Sequence, residues 1–193
     1  MLKNTELLPE AIARLLAWYS ASRRLLPWRQ DPTPYHTWIA EIMLQQTRIE
    51  AVIPYYERFL RELPDVSALA AVSEDRLLKL WEGLGYYSRA RNLKKAALLL
   101  MERYDGELPA SAVELRKLPG IGDYTAGSIA SISFGLPEPA VDGNVLRVMT
   151  RVLACADDIA IPSTRRAVTE LLRAHYPSGD SAALLTEGIM ELG

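Results

Sequence analysis

The segment Leu118-Pro119-Gly120-Ile121-Gly122-Asp123-Tyr124-Thr125-Ala126 leaves this chain few options. A helical pattern runs into it: Ser111 and Glu114 stand at capping-box spacing, and Leu115 and Leu118 supply an apolar edge. A second helical pattern runs out of it through Thr125, Ala126, Gly127, Ile129, Ala130, Ile132 and Phe134. Pro119 cannot continue the first helix, while Gly120 and Gly122 permit positive φ and close backbone approach. The pattern predicts a helix, a tight turn, and a helix whose first amides are unpaired. Such amides, with the positive end of a helix dipole behind them, suit a phosphate. Gly-Pro punctuation by itself marks an ordinary turn. The small residues that follow Gly-x-Gly are what favour a backbone grip on DNA.

The remaining chain reads as helix after helix. Ile12, Leu15, Leu16 and Tyr19 recur at helical spacing. The stretch 22–29 follows as a loop with three arginines, Arg23, Arg24 and Arg29, around Pro27-Trp28. A helix is expected from about Tyr35 to Arg48, and it carries Glu41 beside Trp38, Ile39, Ile42 and Met43. Periodicity leaves two states open for Glu41, solvated or partly buried with a raised pKa as a general acid requires. Gln45-Gln46-Thr47 ends that helix, and Pro54 fits the first turn of the next, which carries Tyr55, Tyr56 and Phe59. After a short turn, Ser73 caps a helix to Trp81. Gly83-Leu84-Gly85-Tyr86-Tyr87-Ser88-Arg89 is a second Gly-x-Gly turn, opening a helix with Arg89, Arg91, Lys94 and Lys95. That helix presents either a solvated basic face or a second phosphate contact with a tyrosine offered to a base.

Asp142 is placed to cap a helix through Val145, Leu146, Val148, Met149 and Val152, and a cap position also holds a carboxylate firmly. Pro162-Ser163 and Ser181 begin the last helices. No run alternates as a strand would, so the fold class is all-α. The 193 residues are about half hydrophobic, with a net charge of −2, so a DNA partner would be held by local patches and backbone amides. One cysteine, Cys155, excludes an internal disulfide and fits a reducing cytoplasm. His36 and His175 lack metal-ligand spacing, and no signal peptide or membrane-spanning run is apparent.

Leu118 to Ala126 with Val141-Asp142-Gly143-Asn144-Val145 downstream resembles the helix-hairpin-helix plus aspartate signature of the base-excision DNA glycosylases. Leu26-Pro27-Trp28-Arg29, Glu41-Ile42-Met43-Leu44-Gln45-Gln46-Thr47 and Trp81 to Tyr87 resemble one branch, the adenine DNA glycosylases of the MutY type. The resemblance covers the chain from about Tyr19 to Gly193. It implies DNA repair by removal of adenine mispaired with 8-oxoguanine or guanine in double-stranded DNA. It also implies the helix-hairpin-helix glycosylase fold, two helical lobes with the active site in the cleft between them. The expected lobes are 1–28 packed with 140–193, and 29–139 containing the hairpin at about 111–134. The chain is expected to act as a monomer in a bacterial-type cytoplasm.

By this resemblance Glu41 protonates adenine, and Asp142 stabilises the oxocarbenium-like sugar, the two-carboxylate logic of glycoside hydrolysis. Tyr124 stands where the endonuclease III type carries a Schiff-base lysine, which implies a monofunctional glycosylase. Gln46 would wedge into the gap left by the flipped base, and Tyr86 would press beside the opposite guanine. Arg24, Leu26, Trp28, Arg29 and Glu187 would line the adenine pocket. Gly120, Gly122 and Thr125 would meet the DNA backbone. The carbonyls of Leu118, Gly120 and Ile121 would hold a monovalent cation. In the resembled family the chain continues beyond the Gly193 position into four cysteines for a [4Fe–4S] cluster and a domain that reads 8-oxoguanine. Cys155 alone cannot replace four thiolates, so the sequence is expected to be a piece of a longer protein or a variant working without the cluster. Two alternatives stay open: a DNA-binding piece without catalysis, and a related glycosylase for thymine mispairs or oxidised pyrimidines.

Overall fold

The computed structural model describes residues 4–193, and all regular structure among them is helical. A 3₁₀ turn at Thr5–Leu7 leads into α1 (Leu8–Ser22), α2 (Pro27–Gln30), α3 (Pro34–Leu44), α4 (Ile49–Glu62), α5 (Val66–Ala71) and α6 (Glu74–Trp81). Then come α7 (Ser88–Arg103), α8 (Ala112–Leu115), α9 (Asp123–Phe134), α10 (Gly143–Val152), α11 (Pro162–His175) and α12 (Asp180–Leu192). The chain divides into two units, residues 25–126 and residues 4–24 with 127–193, so one boundary falls inside α9.

In the 25–126 unit, α3 is buried on nearly every side, from Tyr35 to Met43, as expected of a helix that other helices surround. Thr33 caps it by accepting the His36 N–H at 3.2 Å, and Pro34 occupies the first turn, where its missing N–H is harmless. α2 and α4 pack on α3, α6 packs on α4, and α7 packs on α5 and α6. Edge-on aromatic pairs fill the joints: Phe59 with Trp81 at 6.1 Å and Trp28 with Tyr56 at 5.4 Å. In the other unit, α1 and α10 pack on α12 and α11 packs on α10. Their core holds Leu8, Val145, Leu146, Met149, Leu153, Val168, Leu172, Leu185 and Ile189.

Several boundaries depart from the sequence reading. α3 stops at Leu44, short of Arg48: Gln45 leaves the helical region with ψ 111°, and Gln46 then takes φ 59°. Pro54 lies inside α4 rather than in its first turn. The apolar set Val52, Tyr56 and Phe59 is buried along this helix, and its burial outweighs the backbone bond that proline cannot make. The short turn before Ser73 contains α5, capped by Asp65 through the Ala68 N–H at 2.7 Å. The arginine loop contains the single turn α2, again with proline at its head. Half of the expected capping box forms. Ser111 Oγ accepts from Glu114 N–H at 3.4 Å, but the Glu114 carboxylate turns to Lys117 and Tyr104.

Candidate active site and DNA-contacting turns

The hairpin turn is built as its residues demand. The Ile121 N–H donates to the Leu118 carbonyl at 3.1 Å, closing a β-turn with Pro119 and Gly120 in the middle. Gly120 has φ 81°, as the third position of a type II turn requires, and a Cβ there would lie 2.8 Å from Asn92 Cβ. Ala126 N–H donates to the Gly122 carbonyl at 2.9 Å, the first turn of α9. Gly122 is exposed, whereas Thr125 is buried and belongs to the packing of the hairpin.

Glu41 sits in the last turn of α3 with 8 % of its surface exposed, between Ala40 and Ile42, both buried. Of the two states open from periodicity, burial is the one found. Three residues on, α3 ends at Leu44, and the chain turns out to the exposed Gln46. The second Gly-x-Gly turn presents Tyr86, 63 % exposed, at φ 46°. Gly83 is required here, because a Cβ would fall 2.1 Å from Tyr55 Oη and its φ is 103°.

Both turns are fastened from α7. Arg89, 8 % exposed, donates five hydrogen bonds to main-chain oxygens: Nη1 to Ile42, Met43 and Gln45 at 2.7, 3.0 and 2.8 Å, Nη2 to Leu84 and Gly85 at 2.9 and 3.2 Å. Burial lowers its pKa and the nearby Tyr86 opposes that shift. Its charge lies at the C-terminal carbonyls of α3, where a cation is favoured. Lys94 also turns inward, donating to the carbonyls of Ala70 and Val72 at the end of α5. The expectation of a uniformly solvated or phosphate-facing basic face on α7 is therefore corrected for these two residues. Arg91 pairs with Glu74 at 2.8 Å. No sequence signal marked either cation as turning inward: Arg89 is followed by Ala90, Arg91 and Asn92, and Lys94 by Lys95.

Asp142 caps α10: Oδ1 accepts the Val145 N–H at 2.9 Å and Oδ2 accepts from Asn144 Nδ2 at 3.3 Å. The preceding carbonyl, Val141, accepts from Arg165 at 2.7 Å. Gly127 of α9 lets this segment approach, since a Cβ there would stand 2.5 Å from the Pro139 oxygen. Of the residues expected around adenine, Arg24 binds the Glu191 carboxylate and Glu187 accepts from Tyr19 Oη at 2.8 Å. Tyr19 and Glu191 were not singled out for these roles from sequence. Leu26 and Trp28 are buried, Arg29 is half-buried, and Trp28 stacks edge-on with Tyr56. Tyr124 is half-buried in the first turn of α9.

Among the described residues no three His, Cys, Asp or Glu side chains are gathered as a metal ion would require. With Cys155 as its one cysteine, the chain does not supply the ligands of a four-thiolate iron–sulfur cluster. No helix among the described residues is long and apolar enough to cross a membrane.

The chain is 48 % identical over 138 residues to an adenine DNA glycosylase of Buchnera aphidicola subsp. Baizongia pistaciae, covering 71 % of this chain and 39 % of that protein. It is 44 % identical over 153 residues to the adenine DNA glycosylase of Homo sapiens, covering 75 % of this chain and 28 % of the relative. It thus spans well under half the length of these relatives. Among solved structures it is similar to a thermostable thymine-DNA glycosylase, with a TM-score of 0.83, 25 % identity, and coverage of 93 % of this chain and 82 % of that one. A trapped endonuclease III–DNA covalent intermediate gives a TM-score of 0.81 at 25 % identity, covering 100 % of this chain and 87 % of the other. Residues 39–174 match the HhH-GPD superfamily of base excision DNA repair proteins, and this chain belongs to that family.

Proposed function

We propose that this chain carries the catalytic part of an adenine DNA glycosylase, which extrudes adenine from a mispair with 8-oxoguanine or guanine and hydrolyses its N-glycosidic bond. The observation that carries this reading is the buried carboxyl of Glu41, on the helix that leads directly into Gln46. Relatives at 44–48 % identity that are adenine DNA glycosylases supply the substrate class.

Extrusion costs a few kcal/mol of stacking and pairing, which side chains inserted into the duplex recover in part. Gln46 and Tyr86, both exposed on turns, are the proposed inserting groups. Glu41 donates a proton to a ring nitrogen of adenine, which turns the base into a better leaving group. The C1′–N9 bond then breaks and its electron pair leaves with adenine. Asp142, held as an α10 cap, stabilises the cationic sugar until water adds at C1′ and gives up a proton. Arg24, Leu26, Trp28, Arg29 and Glu187 are the proposed pocket for the base. Tyr124 has no amine, so no imine forms with the sugar, which stays in the strand as an abasic site. The exposed Gly122 and the Gly120 turn support a backbone grip on a phosphate. The carbonyls of Leu118, Gly120 and Ile121 are the proposed ligands of a monovalent cation there. The active unit is proposed to be a monomer acting on DNA in a bacterial-type cytoplasm.

The test is product analysis under single turnover, with duplexes carrying adenine opposite 8-oxoguanine, guanine or thymine. Free adenine opposite the first two, with no borohydride-trapped adduct, is expected. Release of a pyrimidine, or a trapped adduct, contradicts the reading. Duplex binding without release assigns the chain to DNA binding alone.

A further inference from the structure

We propose that Arg89 is a positioning residue that sets Gln46 and Tyr86 together, so that one guanidinium couples the two side chains offered to DNA. The inference rests on the reading above for what Gln46 and Tyr86 do, and on geometry for how they are held. Both residues have positive φ, 59° and 46°, a region that side chains other than glycine and asparagine seldom enter. In each case the carbonyl immediately before the left-handed residue accepts from Arg89: Gln45 at 2.8 Å and Gly85 at 3.2 Å. Those two peptide planes direct the chain into Gln46 and Tyr86, and the planar guanidinium fixes one with Nη1 and the other with Nη2.

Further contacts tie the same unit. The Arg89 N–H donates to the Tyr86 carbonyl at 2.9 Å, and Trp81 Nε1 donates to Gly85 at 3.0 Å. Arg89 Cζ lies 5.3 Å from the Trp81 ring centre and 5.7 Å from that of Tyr86. A lysine has one donor centre and cannot span acceptors of both turns in this fork. Arg89 is buried and its side chain bonds only to main-chain oxygens among the described hydrogen bonds, so its action on DNA is through the turns it holds.

The decisive experiment places 2-aminopurine at the target position of a duplex and follows the rise in fluorescence as the base unstacks, which requires no bond cleavage. Arg89→Lys should bind the duplex but lower the extrusion amplitude about tenfold through misplacement of the inserting groups. Gln46→Ala and Tyr86→Ala should each lower extrusion in the parent chain and add little in the Arg89→Lys background. Parent-like extrusion by Arg89→Lys, or undiminished effects of the two alanine variants in that background, overturns the proposal.

If Arg89→Lys fails to fold, or the parent chain extrudes no base, native-state hydrogen exchange on the unaltered protein decides. The amides of Thr47 and Leu84, bonded to Leu44 and Trp81, should open together. Opening constants that differ by more than about tenfold overturn the coupling. Arg89-dependent extrusion without adenine release removes the glycosylase reading and keeps this one, and release indifferent to Arg89 does the reverse.

Discussion

The two carboxylates assigned to chemistry, Glu41 and Asp142, are held in opposite ways. Glu41 is an interior residue of a helix that its neighbours surround, and it is buried, 8 % exposed, within the length of α3. Asp142 stands at a helix start, half-buried, with an oxygen committed to the Val145 amide and another to Asn144. The difference is one of position: one carboxylate stands inside a helix and the other at a helix start. Glu41 lies within α3 rather than at its start, whereas Asp142 both caps α10 and is assigned to the sugar cation. Substitutions at Asp142 therefore mix an effect on the α10 cap with an effect on chemistry.

The largest expected effect is chemical. Glu41→Gln keeps the shape and should lower the rate of adenine release by about 10²–10⁴-fold, the range of a lost general acid. Asp142→Asn should lower it by about 10²–10³-fold through loss of charge, while its amide oxygen preserves the cap. Asp142→Ala should add a loss of about 1 kcal/mol in stability, read by denaturant unfolding beside the asparagine variant. Equal stability of the two variants would mean that the cap contributes nothing.

Gly127→Ala sharpens the Asp142 side of the comparison without touching it. The added methyl meets the Pro139 carbonyl, so a destabilisation of about 1–3 kcal/mol is expected, with lowered activity as the segment before Asp142 shifts. Tyr19→Phe removes the bond to Glu187 and should lower stability by about 1–2 kcal/mol. The smallest effect is one of pH. Burial pushes Tyr176 up to about 12, opposed by its hydrogen bond with Thr186. The folded state thus holds a proton that the unfolded chain releases near pH 10. The Tyr176 contribution is complete below pH 10 and is lost as pH rises from 10 to 12. Tyr176→Phe should flatten that decline, and an unchanged slope would show that Tyr176 titrates normally.

Much of this was legible in the sequence wherever a local rule was strong. Asp142 as a cap, the Pro119-Gly120 turn and the all-helical class follow from short-range chemistry that tertiary packing had no reason to override. The end of α3 was misjudged because a left-handed glutamine carries no mark in the sequence. Pro54 misled because tertiary burial of Val52, Tyr56 and Phe59 outweighed a single missing hydrogen bond. The burial of Glu41 and the inward turn of Arg89 depend on what packs across from them, and one-dimensional periodicity does not contain that. The pocket and catalytic assignments came through resemblance, because no local rule marks a side chain as touching a flipped base.

The most direct test of the central claim is the single-turnover rate of adenine release opposite 8-oxoguanine by this chain and by Glu41→Gln, at protein concentrations that saturate the duplex. The account predicts release by the parent chain, equal duplex binding by both proteins, and a rate for the variant lower by at least about 10²-fold. Release by Glu41→Gln at the parent rate would contradict it, because the proton would then come from another group and the burial of Glu41 would serve the fold alone.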